Sequence, residues 1–206
     1  MSLYQPSHFA VGDQSTLTAL MRERPLATLV SVHNGEAHFT HLPLEVEPAG
    51  SGLRLLGHVA RANPHWSQWN DGTAVTAIFR GPDGYVSPRC YSVREAVPTW
   101  NYAVVHAHGR LAITHDTDDK ERILKALIAR HDAGYRQQWD ELPATYREGM
   151  KRAIVGVTIE VDRLDGKFKL SQNRPPQDRA AVRAAHAAAP PAPSLADWMD
   201  RLGIGR

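Results

Sequence analysis

The spacing of apolar residues changes several times along the chain, and each change marks an element. Over residues 13–24, Leu17, Leu20 and Met21 recur at helical spacing, with Asp13 or Ser15 as N-cap and Pro25 as the stop. From Leu26 the period shortens to two. LATLVSV, the turn signal Asn34-Gly35 and AHFTHLPLEVE together predict a β-hairpin. Pro48, Gly50 and Gly52 mark a turn before a third strand, LRLLGHV. ARANPHWSQWN predicts a short helix with Asn63 as N-cap and Pro64 at its first position. TAVTAIF is a fourth strand. A long loop is expected over RGPDGYVSPRCYSVREAVP, and a strong strand over TWNYAVVHAHGRLAIT.

Two helices are predicted next, over 117–131 with Ile123, Leu124, Leu127 and Ile128 inward, and over 143–152. AIVGVTIEVDRL then alternates apolar and polar residues, and GKFKL closes the sheet. Five to six strands, with helices at the ends and in insertions, predict a mainly β fold: a mostly antiparallel barrel with decorating helices, not a Rossmann sheet. No internal repeat is visible. Residues 1–178 read as one domain. An Ala/Pro-rich segment at 179–193 reads as a helix running into a semi-rigid linker. Residues 194–206 read as an amphipathic helix, Ser194 its N-cap and Leu195, Trp198, Met199 and Leu202 on one face. Such a helix docks on its own domain or across a dimer; the alternative is a detachable partner-binding helix.

Composition narrows the class. At 206 residues the chain buries roughly 70% of its unfolded surface and needs no disulfide or structural metal. Cys90 is the single cysteine, which excludes a secreted disulfide scaffold. No apolar run approaches the roughly 18 residues of a membrane span, and the N-terminus lacks a signal-peptide pattern, so a soluble, cytoplasmic protein is expected. Lys plus Arg number 24 against 22 Asp plus Glu, interspersed as in DDKERILK. That is a solvated surface rather than a nucleic-acid-binding stripe.

Dinucleotide, Walker, nucleophile-elbow and zincin motifs are absent. Cys90 in SPRCY has no assigned base, which makes it weak evidence for a nucleophile. His106 and His108 share a strand face while His38 and His41 lie on opposite faces, and no third ligand stands at metal spacing. More informative are polar residues at strand ends. His58, Arg61 and Asn63 fall where a strand meets a helix N-terminus, and arginine beside free N–H groups suits a phosphate. Thr99, Asn101 and Tyr102 begin a strand; Lys169 ends one and is followed by Ser171, Gln172 and Asn173. Together these suit a flavin mononucleotide, one option among many; from spacing alone, the plainer reading is that each cluster caps a strand or turn.

The segments HLPL (41–44), GHVARANPHW (57–66), VPTWNYAVVHAHG (97–109), AIVG (153–156) and KLSQNR (169–174) resemble, in content and order, the PaiB-type family, described as FMN-binding negative transcriptional regulators. The resemblance covers about residues 1–185 and implies a homodimeric FMN-binding split β-barrel with cofactor sites at the subunit interface. It makes Arg61 and Asn63 phosphate candidates, and Asn101, Tyr102, Ser171 and Gln172 candidates for the ring or ribityl chain. It also places Lys169 near a reduced flavin. No helix-turn-helix pair with a basic recognition helix is present, so direct DNA binding is not expected. Two alternatives stand beside a regulator or redox protein. One is a flavin reductase using NAD(P)H. The other is a haem enzyme like the piperazate synthases, which resemble the same family; there His65 in NPHW is the candidate axial ligand, against the plain reading of a partly exposed helix residue.

Overall fold

The computed structural model describes residues 3–189 together with Ala196 and Met199. In chain order the elements are β1 (Ala10–Val11), α1 (Gln14–Glu23), β2 (Leu26–His33), β3 (Glu36–Pro43), β4 (Glu45–Ala49), β5 (Gly52–Ala60), β6 (Thr73–Val86), β7 (Thr99–Thr114), α2 (Thr117–His131), α3 (Tyr135–Glu141), α4 (Ala144–Arg152), β8 (Ile154–Lys169) and α5 (Pro176–Ala188). Short 3₁₀ turns occur at Ser7–Phe9, Pro64–Gln68 and Pro88–Cys90. The chain divides into two units, 1–82 with 102–168, and 83–101 with 169–206.

The larger unit is the barrel. Strands follow the order β3-β2-β6-β7-β8-β5-β4, with β1 pairing antiparallel to β8. The two ends of that path, β3 and β4, are consecutive in the chain. They are joined at Leu44, which is fully buried and donates its N–H to the Pro25 carbonyl. The corner therefore brings both edges of the sheet together, and Gly57 must lack a Cβ because Leu44 and the Pro43 carbonyl lie 2.8 Å from where one would stand. The interior is filled by alternate strand residues, among them Leu29, Leu55, Phe79, Val105, Leu111, Val157 and Ile159, with Leu17, Leu20 and Met21 of α1. The Asn34-Gly35 turn has φ of 51° and 83°, the left-handed pair a tight hairpin requires.

Several expectations need correction. The segment AHFTHLPLEVE is two strands, because Pro43 and Leu44 turn the chain from β2's partner to β5's. Strand β6 does not stop at Phe79 but continues to Val86, through the start of the predicted loop. β8 is one 16-residue strand, where two were read. The region before 143 holds an additional helix, α3. The described sheet has eight strands, not five or six.

In the smaller unit, Val86, Tyr91 and Val182 form a separate apolar cluster with Cys90 and Ala96 against it. Helix α5 is held there by Val182 and by Asp178 accepting the Ser92 N–H at 2.9 Å, and just before the helix Arg174 lies 4.1 Å from the Tyr91 ring centroid. The predicted linker's last residues and the helix at 194–206 lie outside the described residues, apart from Ala196 and Met199. Among the described residues no helix is long and apolar enough to cross a membrane.

Candidate functional site

In the barrel unit, β5 ends at Ala60 and the chain turns sharply. The Arg61 N–H donates to Ala153 O at 2.8 Å and the Asn63 N–H to Ala60 O at 2.9 Å. Asn63 caps the Pro64–Gln68 turn, its Oδ1 accepting from the His65 N–H and its Nδ2 donating to Thr40 Oγ1. Pro64 has no N–H and that of His65 is taken by Asn63, so neither is a free backbone donor for a phosphate. The Arg61 guanidinium is exposed. Its Nε donates to Arg152 O at 2.7 Å, its Nη2 lies 3.4 Å from His115 Nδ1, and it sits 5.9 Å from the Trp66 ring centroid. Buried Lys120 donates to the neighbouring carbonyl, Lys151 O, at 3.1 Å. Two cations thus hold the negative end of α4. His58, on β5 opposite Gly156, has its pKa pushed below the usual histidine value by burial.

His65 is not a partly exposed helix residue. It is 4% exposed, with Nε2 2.7 Å from Ser31 Oγ and Nδ1 2.8 Å from Thr40 Oγ1. The Trp69 indole N–H donates to Ser31 Oγ as well, at 3.2 Å, and its ring centroid lies 4.5 Å from that of His65. Burial, and the charge His38 carries when protonated, hold the His65 pKa below its ordinary value. An iron on either ring nitrogen would have to displace a hydroxyl. Among the described residues no group of three or more His, Cys, Asp or Glu side chains is placed to hold a metal ion.

In the smaller unit, two segments about seventy residues apart converge. Lys169 Nζ donates to Thr99 Oγ1 and to the Trp100 carbonyl, each at 2.6 Å. Ser171 Oγ donates to Asn101 Oδ1 at 3.2 Å. Ser171 takes φ = 65°, the left-handed region, which swings its hydroxyl back onto β7. Gln172 bends to accept the Leu170 N–H at 2.6 Å, while Asn173 is exposed. Asn101 and Ser171 are 5% and 4% exposed. Tyr102 belongs to the barrel unit and is half-buried.

Sequence reading missed three features. Lys167, 7% exposed, donates to Tyr4 O at 2.7 Å and lies 5.0 and 5.5 Å from the Tyr4 and Tyr102 ring centroids. Its signal was alternation with Lys169. The exposed edge-to-face pair Tyr85 and Trp100, 6.2 Å apart, had none. Nor did His186 on α5, whose Nε2 lies 3.5 Å from Asn101 Nδ2.

The fold is that of flavin-binding split barrels. The FAD and heme binding protein from Mycobacterium smegmatis superposes with a TM-score of 0.62 at 20% identity, over 84% of this chain and 80% of that one. The flavocytochrome Anf3 from Azotobacter vinelandii does so with 0.58 at 18% identity, over 92% and 74%. The family model described as "Putative FMN-binding domain" matches residues 3–163. A curated relative from Bacillus subtilis, "Protease synthase and sporulation protein PAI 2", is 32% identical over 175 residues, 84% of this chain and 83% of its own length. The chain belongs to this FMN-binding domain family, in its PaiB-like branch.

Proposed function

We propose that the chain is a homodimeric, FMN-dependent redox protein, and that any regulatory role works through the state of the flavin rather than through direct contact with DNA. The observation that carries the reading is the convergence of Thr99 and Asn101 with Lys169 and Ser171, which gathers a cation, an amide and two hydroxyls from distant segments. Asn101, Ser171 and Gln172 are the candidates for the ring edge or ribityl chain. Tyr102 is a further ring candidate on the barrel. Lys169, its ammonium fixed by Thr99 and Trp100 O, supplies positive charge for a reduced flavin. Arg61, with His58 and Asn63 near it in the sequence, is the barrel unit's own phosphate candidate. When bound, FMN supplies one- and two-electron redox chemistry.

The test is the absorption spectrum of the purified protein, repeated after adding FMN, then haemin, then NAD(P)H without oxygen. Flavin bands near one equivalent support the reading, and bleaching by NAD(P)H makes the protein a reductase. A Soret band lost in His65→Ala replaces the reading with the haem one, for which the names of the two structural relatives speak. What weighs against haem is that both His65 nitrogens are already bonded to hydroxyls. Arg61→Ala should weaken FMN binding by about 1.5–3 kcal/mol, the range for a bond to a charged group. An unchanged affinity would move the phosphate elsewhere.

A further inference from the structure

Asn101 and Ser171 pose a problem for any flavin reading, because both are almost fully buried and already bonded to each other. A ligand can read the Asn101 amide only if something above it moves. Helix α5 supplies the candidate, and the contact holding it there is weak. His186 in its last turn meets Asn101 Nδ2 at 3.5 Å, at the outer limit of a hydrogen bond. The ring rests on Gly84, where a Cβ would stand 2.8 Å from His186 Cε1 and 3.0 Å from Nδ1. The other anchors of α5, Asp178 on the Ser92 N–H and Val182 in the apolar cluster, lie in its first half. Among the described residues, the helix is thus fixed at its start and meets Asn101 near its end through His186.

We propose that His186 is a latch over the Asn101–Ser171 pair, and that FMN reaches Asn101 only when the end of α5 swings His186 off Gly84. The proposal rests on the flavin reading of that pair and adds its regulation: the affinity of the site is set by a helix outside the barrel. His186 acts here as a positioning residue, competing with the ligand for the amide.

The experiment is an FMN titration, followed by quenching of flavin fluorescence, on the full chain and four variants. His186→Ala removes the latch. Gly84→Ala reaches the same end independently, since the new methyl pushes the ring aside. Both should bind FMN about three- to ten-fold more tightly, the worth of one neutral hydrogen bond. His186→Gln, which keeps an acceptor at similar reach, should return to the wild-type value, which loss of helix packing alone would not produce. Asn101→Ala should weaken binding. Unchanged or weaker FMN binding in both His186→Ala and Gly84→Ala, with Asn101→Ala still damaging, overturns the latch and leaves the flavin reading standing. An Asn101→Ala protein that binds FMN as tightly as wild type removes the flavin from this pair, and the latch with it.

Discussion

Ser31 and Thr40 show what a hydroxyl does inside this barrel. Each is a strand residue pointing inward where an apolar side chain would otherwise sit, and each faces one nitrogen of His65. Thr40 also accepts from Asn63 Nδ2 and Ser31 from the Trp69 indole, so the cluster is a connected network. Ser31→Ala would strand the Trp69 N–H and one His65 nitrogen away from water. It should cost about 1–3 kcal/mol in urea unfolding, the desolvation penalty of buried groups left unpaired; no loss of stability would mean that water replaces the hydroxyl. The histidines also fix a pH dependence. The pKa values of His58, His65 and His106 are all lowered, chiefly by burial. Below the unfolded pKa of about 6.5 the unfolded chain takes up protons that the folded one refuses, so stability is full above that value and falls as pH drops toward the folded pKa values. The melting temperature should therefore fall between about pH 7.5 and 5.5, with His58→Gln flattening the slope; a flat wild-type profile would contradict the burial argument.

Elements with a single dominant signal were legible in the sequence. Helix α1 begins after Asp13, whose carboxylate accepts the Thr16 N–H, and the Asn34-Gly35 hairpin and the 16-residue β7 stand where period and turn chemistry put them. What failed was punctuation. Gly81, Pro82 and Gly84 read as loop, yet β6 runs through them, because these glycines give room to neighbours: a Cβ on Gly81 would stand 2.9 Å from Leu20 Cδ1. The barrel corner at Leu44 was illegible for the same reason, since only the tertiary fold shows that one apolar run serves two strands. At the candidate site, residue types were legible and pairings were not: Lys169 could be singled out, but not its bonds to Thr99 and Trp100 O. Gly109 offers a test at this scale. A Cβ there would run into the Glu160 carbonyl oxygen on the neighbouring strand, which is backbone and cannot step aside. Gly109→Ala should lose about 1–3 kcal/mol or more of stability, as overpacking does; a variant melting like wild type would show that the two strands can part there.

At the scale of the whole molecule, the β2–β3 hairpin carries apolar residues on both of its faces. One face carries Ala27 and Leu29, both fully buried in the barrel. The other carries Leu26, Val32 and Phe39, which are 67%, 66% and 62% exposed, with Phe39 directly opposite Val30 in the register. β3 also stands at one end of the hydrogen-bonded strand order. A face of this kind is where a chain buries apolar surface against a partner, and a second copy offers the same face in return. The homodimer proposed above is placed on this hairpin by that argument. Phe39→Glu puts a charge at the centre of the patch without touching the core, so the folded chain should keep its melting temperature to within a few degrees. Its mass by light scattering should drop from dimer to monomer at micromolar concentration. If the cofactor site is completed by the partner copy, flavin affinity should fall in step with the dimer. A variant that stays dimeric moves the interface to another surface, and a monomer that binds FMN undiminished separates the cofactor site from the interface.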